Sequence, residues 1–300
     1  MVLEKVILTG ATGMFGKHMS ASLKSIGTEI IPVTRTKNEG CIDWNLENWL
    51  SIKEMDQKFG NTCAIIHAAA MLPNDNNEKI NSYIYDVNVR SCINIAEWAL
   101  LRSVPIIYIS SGSVYLKPHD NFIKENDILG INDLGKIYGM TKILAENVFN
   151  LYKSKGLKVS ILRPSSLYGH GMKNNNVVSK FLNLAKNGET IEIYKPFNNS
   201  IDFLHASDLS YAVLKVLKKE CWETFNISSG SLCTIKELAE SCLEVAKNGK
   251  IKFLDTDDKR LKQTSSTFSL DNHKAKLKLG WNSKIDIKKG LRLLYLNSIE

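Results

Sequence analysis

Apolar residues along this chain fall into short runs, separated by longer stretches in which they recur every three or four positions. The runs Lys5 to Thr9, Glu29 to Val33, Ala64 to His67, Ile106 to Ser110 and Lys158 to Leu162 are rich in Ile and Val, which predicts buried strands. Between them Phe15, Met19, Leu23 and Ile26 repeat at helical spacing, as do Val89, Ile93, Ala96 and Leu100. Strand, helix, strand in repetition predicts an α/β fold. Its sheet is parallel and doubly wound, because right-handed crossovers join parallel neighbours and leave helices on both faces. The alternation breaks after about Gly169, where a polar loop precedes a helix expected over Val177 to Lys186. A strand-helix element from Ile201 to Lys219 resembles the first half again. Two lobes are therefore expected, with residues 1–168 and 200–222 in the larger and 169–199 and 223–300 in a smaller C-terminal α/β lobe.

Composition narrows the classes. In 300 residues, 44% hydrophobic and 23% charged excludes a disordered, collagenous or coiled-coil chain. The net charge of +8 raises the question of nucleic acid, yet from Lys247 onward there are 13 Lys and Arg against 6 Asp and Glu, so the excess is C-terminal. No basic motif interleaved with aromatics accompanies it, so no nucleic-acid partner is expected. The excess is therefore expected to fall on the smaller C-terminal lobe, as a field attractive to small anions. The six cysteines form no CxxC pair and sit in apolar runs, as core residues in a reducing compartment do. No metal set is expected. The N-terminal apolar stretch is too short for a signal peptide and no 18 apolar residues run together, so a soluble, cytoplasmic chain without membrane contact is expected.

Gly10-Ala11-Thr12-Gly13-Met14-Phe15-Gly16 follows the first strand and opens the first helix. Missing side chains let backbone approach a pyrophosphate, whose charge meets free N–H groups and the positive end of the helix dipole. The larger lobe is therefore expected to be a Rossmann-type NAD(P)-binding domain. Where NAD-binding chains place an acid for the ribose 2′-hydroxyl, this one has Thr34-Arg35-Thr36-Lys37. A guanidinium there suits a 2′-phosphate, which favours NADP over NAD. Asp43 is a candidate neighbour of the adenine.

Tyr138 and Lys142, at i and i+4, place a phenol and an ammonium on one helix face. A chain with 10 Tyr contains such pairs by chance, and Tyr211 with Lys215 is a second. Only Tyr138 follows a strand ending in hydroxyls, Ser110 and Ser111. A phenol with an ordinary pKa of about 10 needs a nearby cation to work as acid and base near neutrality. Lys142 and a positive nicotinamide are expected to supply it, with Lys142 also bonding the nicotinamide ribose and Ser111 holding the substrate oxygen.

These residues resemble an extended short-chain dehydrogenase/reductase, of the branch containing nucleotide-sugar epimerases, dehydratases and 4-ketoreductases. The resemblance runs nearly end to end. It is carried by the glycine loop, His67-Ala68-Ala69-Ala70, Tyr85-Asp-Val-Asn88-Val, Ser110-Ser-Gly-Ser-Val-Tyr115, Tyr138-Gly-Met-Thr-Lys142 and Arg163-Pro-Ser-Ser-Leu-Tyr-Gly169. Asp202-Phe-Leu-His205-Ala-Ser-Asp208, Phe225-Asn-Ile-Ser-Ser-Gly230 and Leu279-Gly-Trp281 continue it. It implies Ser111, rather than Ser113, as the catalytic hydroxyl, and Ser110, His67, Ala68 and Ala69 beside the cofactor. It further implies Pro164 and Ser166 along the nicotinamide, a nucleoside diphosphate sugar under the C-terminal lobe, and a homodimer through the Tyr138 helix.

Departures sharpen the expectation. Gly112 and Ser113 stand where 4,6-dehydratases carry an Asp-Glu pair. His170 replaces the usual Pro and is a candidate substrate contact with Ser113 and Ser166. Ile201 stands where many relatives have an Arg near the diphosphate, leaving Arg260 as a candidate for that role. The leading expectation is an NADPH-dependent 4-ketoreductase of an activated deoxyhexose. A 4-epimerase holding NAD is the rival, ahead of a non-sugar carbonyl reductase. A non-catalytic NADP sensor would not need to keep both Tyr138 and Lys142.

Overall fold

Among the described residues the chain forms twelve strands: β1 (Lys5–Thr9), β2 (Glu29–Thr34), β3 (Ile42–Asp43), β4 (Ala64–His67), β5 (Ile106–Ile109), β6 (Val159–Pro164), β7 (Ser166–Tyr168), β8 (Thr190–Tyr194), β9 (Ser200–His205), β10 (Thr224–Ile227), β11 (Leu232–Thr234) and β12 (Lys250–Leu254). The structure is a computed structural model that describes residues 4–36, 38–73, 80–116, 122–131, 136–172, 176–195, 197, 199–255 and 269–296. Seven strands form one parallel sheet in the order β10-β6-β5-β4-β1-β2-β3. The chain first runs outward from β1 to β3 and then crosses back to β4. That reversal opens a crevice at the carboxyl ends of β1 and β4, where this class of sheet receives its ligand.

Period-two alternation sends neighbouring side chains of β1 to opposite faces. Val6 and Leu8 pack under α1 (Met14–Ser25), whereas Ile7 joins the layer containing Met55 and Phe59 of α2 (Ile52–Phe59). The second face is completed by α4 (Ser91–Arg102) and α5 (Lys136–Ser154), which follow α3 (Ile80–Tyr85) and a π-helical turn, Asp86–Arg90. Both faces are covered, as the doubly wound reading expects. Helix α2 escaped the sequence pattern because it buries only Met55 and Phe59; a Ser51–Glu54 capping box fixes its start.

The smaller lobe comprises the sheet β11-β9-β7 and the pair β12-β8, covered by α6 (Val177–Lys186) and α8 (Ile235–Ala246). The expected lobe boundaries are interleaved further by the structure. Helix α7 (Ala206–Lys219) joins α1 on the main sheet, but the strand before it, β9, belongs to the small sheet. Strand β10 is the edge of the main sheet although it lies beyond residue 222. Helix α9 (His273–Leu279) and Trp281 also pack into the main core, and α10 (Ile287–Tyr295) returns to the small lobe.

Two buried carboxylates fasten this arrangement. Asp202 accepts from Ser165 Oγ, Ser229 Oγ and the Ser229 and Gly230 amides. Asp208 accepts from the Lys284 and Ile285 amides and from Ser283 Oγ. The placement of α9 also corrects the expectation about charge. Lys274 and Lys278 belong to α9 and pair with Glu223 beside the main sheet, so part of the C-terminal excess lies off the substrate lobe.

Candidate active site

The glycine loop folds as its spacing predicts. Gly10 has φ +71°, and a Cβ there would come within 2.9 Å of the Ala69 backbone; one on Gly16 would collide with the Gly10 carbonyl. Ala68 and Ala69 therefore wall the crevice through their backbone. Gly13 caps α1 without a side-chain bond, leaving the positive end of the helix to an anion. This cradle fits a dinucleotide pyrophosphate. Thr12 and Gly13 are exposed and Met14 half-exposed, whereas the Phe15 ring packs in the core, so any ligand contact from Phe15 is through backbone.

Arg35 and Asp43 lie exposed at the carboxyl ends of β2 and β3, where Thr34 pairs with Asp43. The Arg35 guanidinium donates to Met71 Sδ at 3.4 Å and forms no ion pair among the described residues. Lys37 and Arg260 lie outside those residues.

His67 ends β4 with its side chain turned into the core. It is fully buried. Thr9 Oγ1 accepts the Ala68 and Ala69 amides and bonds His67 Nδ1 at 2.8 Å. Burial holds this ring neutral, with its pKa lowered to about 3. His18 on α1 and His205 at the end of β9 are equally buried, meet edge-on at 5.2 Å, and are lowered to about 4 and about 3 by desolvation. His170 joins them beside His18 rather than standing alone in a loop. All three depressed rings are protonated more readily in the unfolded chain. Stability is thus complete above pH 6.5 and falls as acid takes the pH toward 4, by roughly 1.4 kcal/mol per pH unit for each ring. Urea unfolding across that range measures the slope; no slope would contradict burial of neutral imidazoles.

At the end of β5, Ser110 and Ser111 separate in role. Ser110 is buried and donates to Glu146 Oε1 at 2.5 Å, turned away from the crevice. Ser111 caps a short 3₁₀ turn, Gly112–Val114, and accepts from both the Ser113 amide at 3.1 Å and Ser113 Oγ at 2.9 Å. With its acceptor sites occupied, the Ser111 hydroxyl proton remains to be donated.

Helix α5 brings Tyr138 and Lys142 against this turn. Gly139 permits the approach: a Cβ there would lie 2.8 Å from the Ser113 carbonyl oxygen. Lys142 donates to the Ile109 carbonyl at 2.7 Å, with its ammonium 5.7 Å from the Tyr138 ring centroid. In the chain by itself burial pushes the Tyr138 phenol up to about 12, opposite to the lowering expected with the cofactor present. Desolvation meanwhile lowers Lys142 to about 8. Pro164 and Ser166 flank the Ser165–Asp202 clamp where β6 passes into β7. The other phenol-lysine pair sits on α7, where Lys215 and Lys284 lie over the Tyr211 ring.

Asn88 had no role in the spacing argument. Buried in the π-helical turn, it bonds both the amide and the carbonyl of Met71, and its Nδ2 donates to Thr141 Oγ1 at 3.0 Å. Thr141 Oγ1 donates to the Tyr138 carbonyl. The extra residue of a π turn is a recurrent feature of functional sites. Here it carries the residue that ties the segment after β4 to the Tyr138 turn.

A parallel sheet with its ligand crevice at β1 and β4, a glycine cradle, and a hydroxyl-phenol-ammonium group define a Rossmann-type dinucleotide-binding α/β enzyme. The chain belongs to the NAD dependent epimerase/dehydratase family, whose profile matches residues 6–228. It is 28% identical over 303 residues to a putative UDP-glucose 4-epimerase of Methanocaldococcus jannaschii, covering 96% of each chain. Among solved structures it superposes on UDP-N-acetylglucosamine 4-epimerase from Bacillus cereus with a TM-score of 0.83, at 23% identity and 98% of each chain. It superposes on MoeE5 in complex with UDP-glucose and NAD with a TM-score of 0.81, at 22% identity and the same coverage. No helix among the described residues is long and apolar enough to cross a membrane.

Proposed function

We propose that the protein carries out NAD(P)-dependent oxidoreduction at C4 of a nucleotide-activated hexose, working as an NADPH-dependent 4-ketoreductase. What supports this reading is the approach of α5 to the end of β5: Gly139, next to Tyr138, closes on the Ser113 carbonyl in the turn that Ser111 caps, and Lys142 donates to the Ile109 carbonyl with its ammonium 5.7 Å from the Tyr138 ring centroid. Bound nicotinamide dinucleotide supplies the hydride. Ser111 donates a hydrogen bond to the C4 oxygen and orients it, while Tyr138 transfers its phenolic proton to that oxygen as the hydride reaches C4. A phenol pushed up to about 12 is protonated at neutral pH, the form a reductase uses. Lys142 places a positive charge beside the phenolate as it forms. Gly112 and Ser113 offer no acid or base for dehydration. The sugar's diphosphate lies under the smaller lobe. Exposed Leu101 on α4 and Leu151 on α5 support a homodimer through these helices.

Arg35 supports NADP, since its guanidinium, exposed at the end of β2, forms no ion pair among the described residues. Arg35→Ala is expected to weaken NADPH about tenfold or more, the loss of one charge-assisted contact, and to leave NADH nearly unchanged. Fluorescence titration with both dinucleotides measures this, and equal weakening would refute the 2′-phosphate contact.

A 4-epimerase is the second reading, favoured by the names of the relatives. Denaturing the purified protein and identifying the nucleotide released separates the two. Tightly retained NAD supports the epimerase; an empty or NADP-exchanging site supports the reductase.

A further inference from the structure

The side chain of Lys142 is only 2% exposed, yet among the described residues its ammonium forms no ion pair. Glu146, one helical turn further on, is taken up by Arg163 and Ser110. The hydrogen bond from Lys142 to the Ile109 carbonyl satisfies one of three N–H groups. A desolvated ammonium with so little compensation is costly, and what else faces it is aromatic. The Tyr108 ring centroid is 4.6 Å from Nζ, closer than that of Tyr138 at 5.7 Å. Tyr108 is itself buried, with no hydrogen-bond partner for its hydroxyl among the described residues. Its ring is held by His67, stacked at 5.6 Å, and by Phe149 at 4.8 Å. The position therefore uses the ring of Tyr108 and not its hydroxyl.

We propose that Tyr108 is a positioning residue for Lys142: the face of its ring holds the ammonium in place and in its charged form beside Tyr138. The electron-rich face attracts the cation, and burial strengthens the attraction. The inference rests on Tyr138 and Lys142 being the acid-base pair of the proposed reaction. It adds a residue of β5 whose effect reaches that pair only through the lysine.

The surroundings make the titration of Lys142 readable. Facing it are His67 from β4, Cys92 from α4, Tyr108 from β5, and Tyr138 and Glu146 from its own helix, with Arg163 of β6 behind Glu146. Burial lowers the His67 imidazole to about 3 and raises the Cys92 thiol and the Tyr138 phenol to about 12. Of the groups so shifted, Lys142, lowered to about 8, is the one that changes charge between pH 6 and 10.

The test follows the ¹⁵Nζ resonance of Lys142 through that range in the full, cofactor-free chain, assigned by its loss in Lys142→Arg. Tyr108→Phe should leave the midpoint unchanged, because the ring remains and the hydroxyl had no partner. Tyr108→Leu should lower it by about one pH unit. Replacing Tyr108 by 3,4,5-trifluorophenylalanine, close in shape but with a depleted face, should lower it by about half as much. Equal midpoints for the phenylalanine and trifluorophenylalanine forms would overturn the proposal, and that comparison decides even where the leucine variant fails to fold. The catalytic reading is judged separately by turnover of Tyr138→Phe. Full turnover there, with a ring-dependent Lys142 midpoint, removes the catalytic reading and leaves the ring-lysine contact standing.

Discussion

Replacing Tyr138 by Phe is expected to lower turnover of the nucleotide-hexose substrate by about 10³-fold while cofactor binding stays within a factor of two or so, the size of effect general acid catalysis supplies. The substitution deletes one oxygen and nothing else. The ring keeps its place over Lys142, and the Thr141 bond to the Tyr138 carbonyl is made by backbone. The loop of Gly10, Gly13 and Gly16, proposed as the dinucleotide's cradle, has a geometry that does not depend on the phenol. Single-turnover kinetics and a dinucleotide titration on the same preparation measure both quantities. Turnover within tenfold of the parent would show that Tyr138 is not the proton donor and would sink the assignment.

Arg163→Met should cost about 3–5 kcal/mol of unfolding free energy, because it leaves a carboxylate buried without its counter-charge. Arg163 is the hub of a dry network. Its Nε and Nη2 grip both oxygens of Glu146, with Nη2 at 2.6 Å from Oε2, and its Nη1 donates to Tyr115 OH and the Glu125 carbonyl. Tyr115 OH donates in turn to Asn226 Oδ1 at 2.6 Å on β10. Ser110 completes the coordination of Glu146 from the end of β5. One methionine thus strands an anion joining α5, β5 and β6 one turn from Lys142. Urea denaturation measures the loss, and Arg163→Met with Glu146→Leu should regain most of it. A single variant as stable as the parent would show that Glu146 is not held as a buried anion.

That network shows where a sequence stops being readable. Arg163 opens a motif that carries the resemblance whereas Glu146 lies in none, and their pairing spans two elements that no local spacing announces. Asn88 is a similar case, in a motif yet without an assigned role until a π turn aims it at Thr141 and Met71. His67 is a case of the opposite kind. A polar residue at a strand end reads as ligand-facing, whereas period-two alternation turns this one into the core, where Thr9 satisfies it. Strand β10 pairs with β6 in the main sheet, a partner that its short apolar run does not announce.

By itself the sequence determined what depends on neighbours along the chain: the strand and helix periods, the α/β class, and the glycine cradle at the first turn. It also paired Tyr138 with Lys142, since i and i+4 share a helix face wherever the helix lies. The tertiary structure decided what depends on residues far apart. It gave Ser110 to Glu146 while Ser111 caps the 3₁₀ turn, and it allowed α5 to approach through Gly139. It also moved part of the C-terminal charge onto the main sheet and set the Lys142 ammonium over the Tyr108 ring. The physical reason is range: torsional preference and amphipathic period act within a few residues, whereas burial and the pairing of buried polar groups are fixed only when distant segments meet.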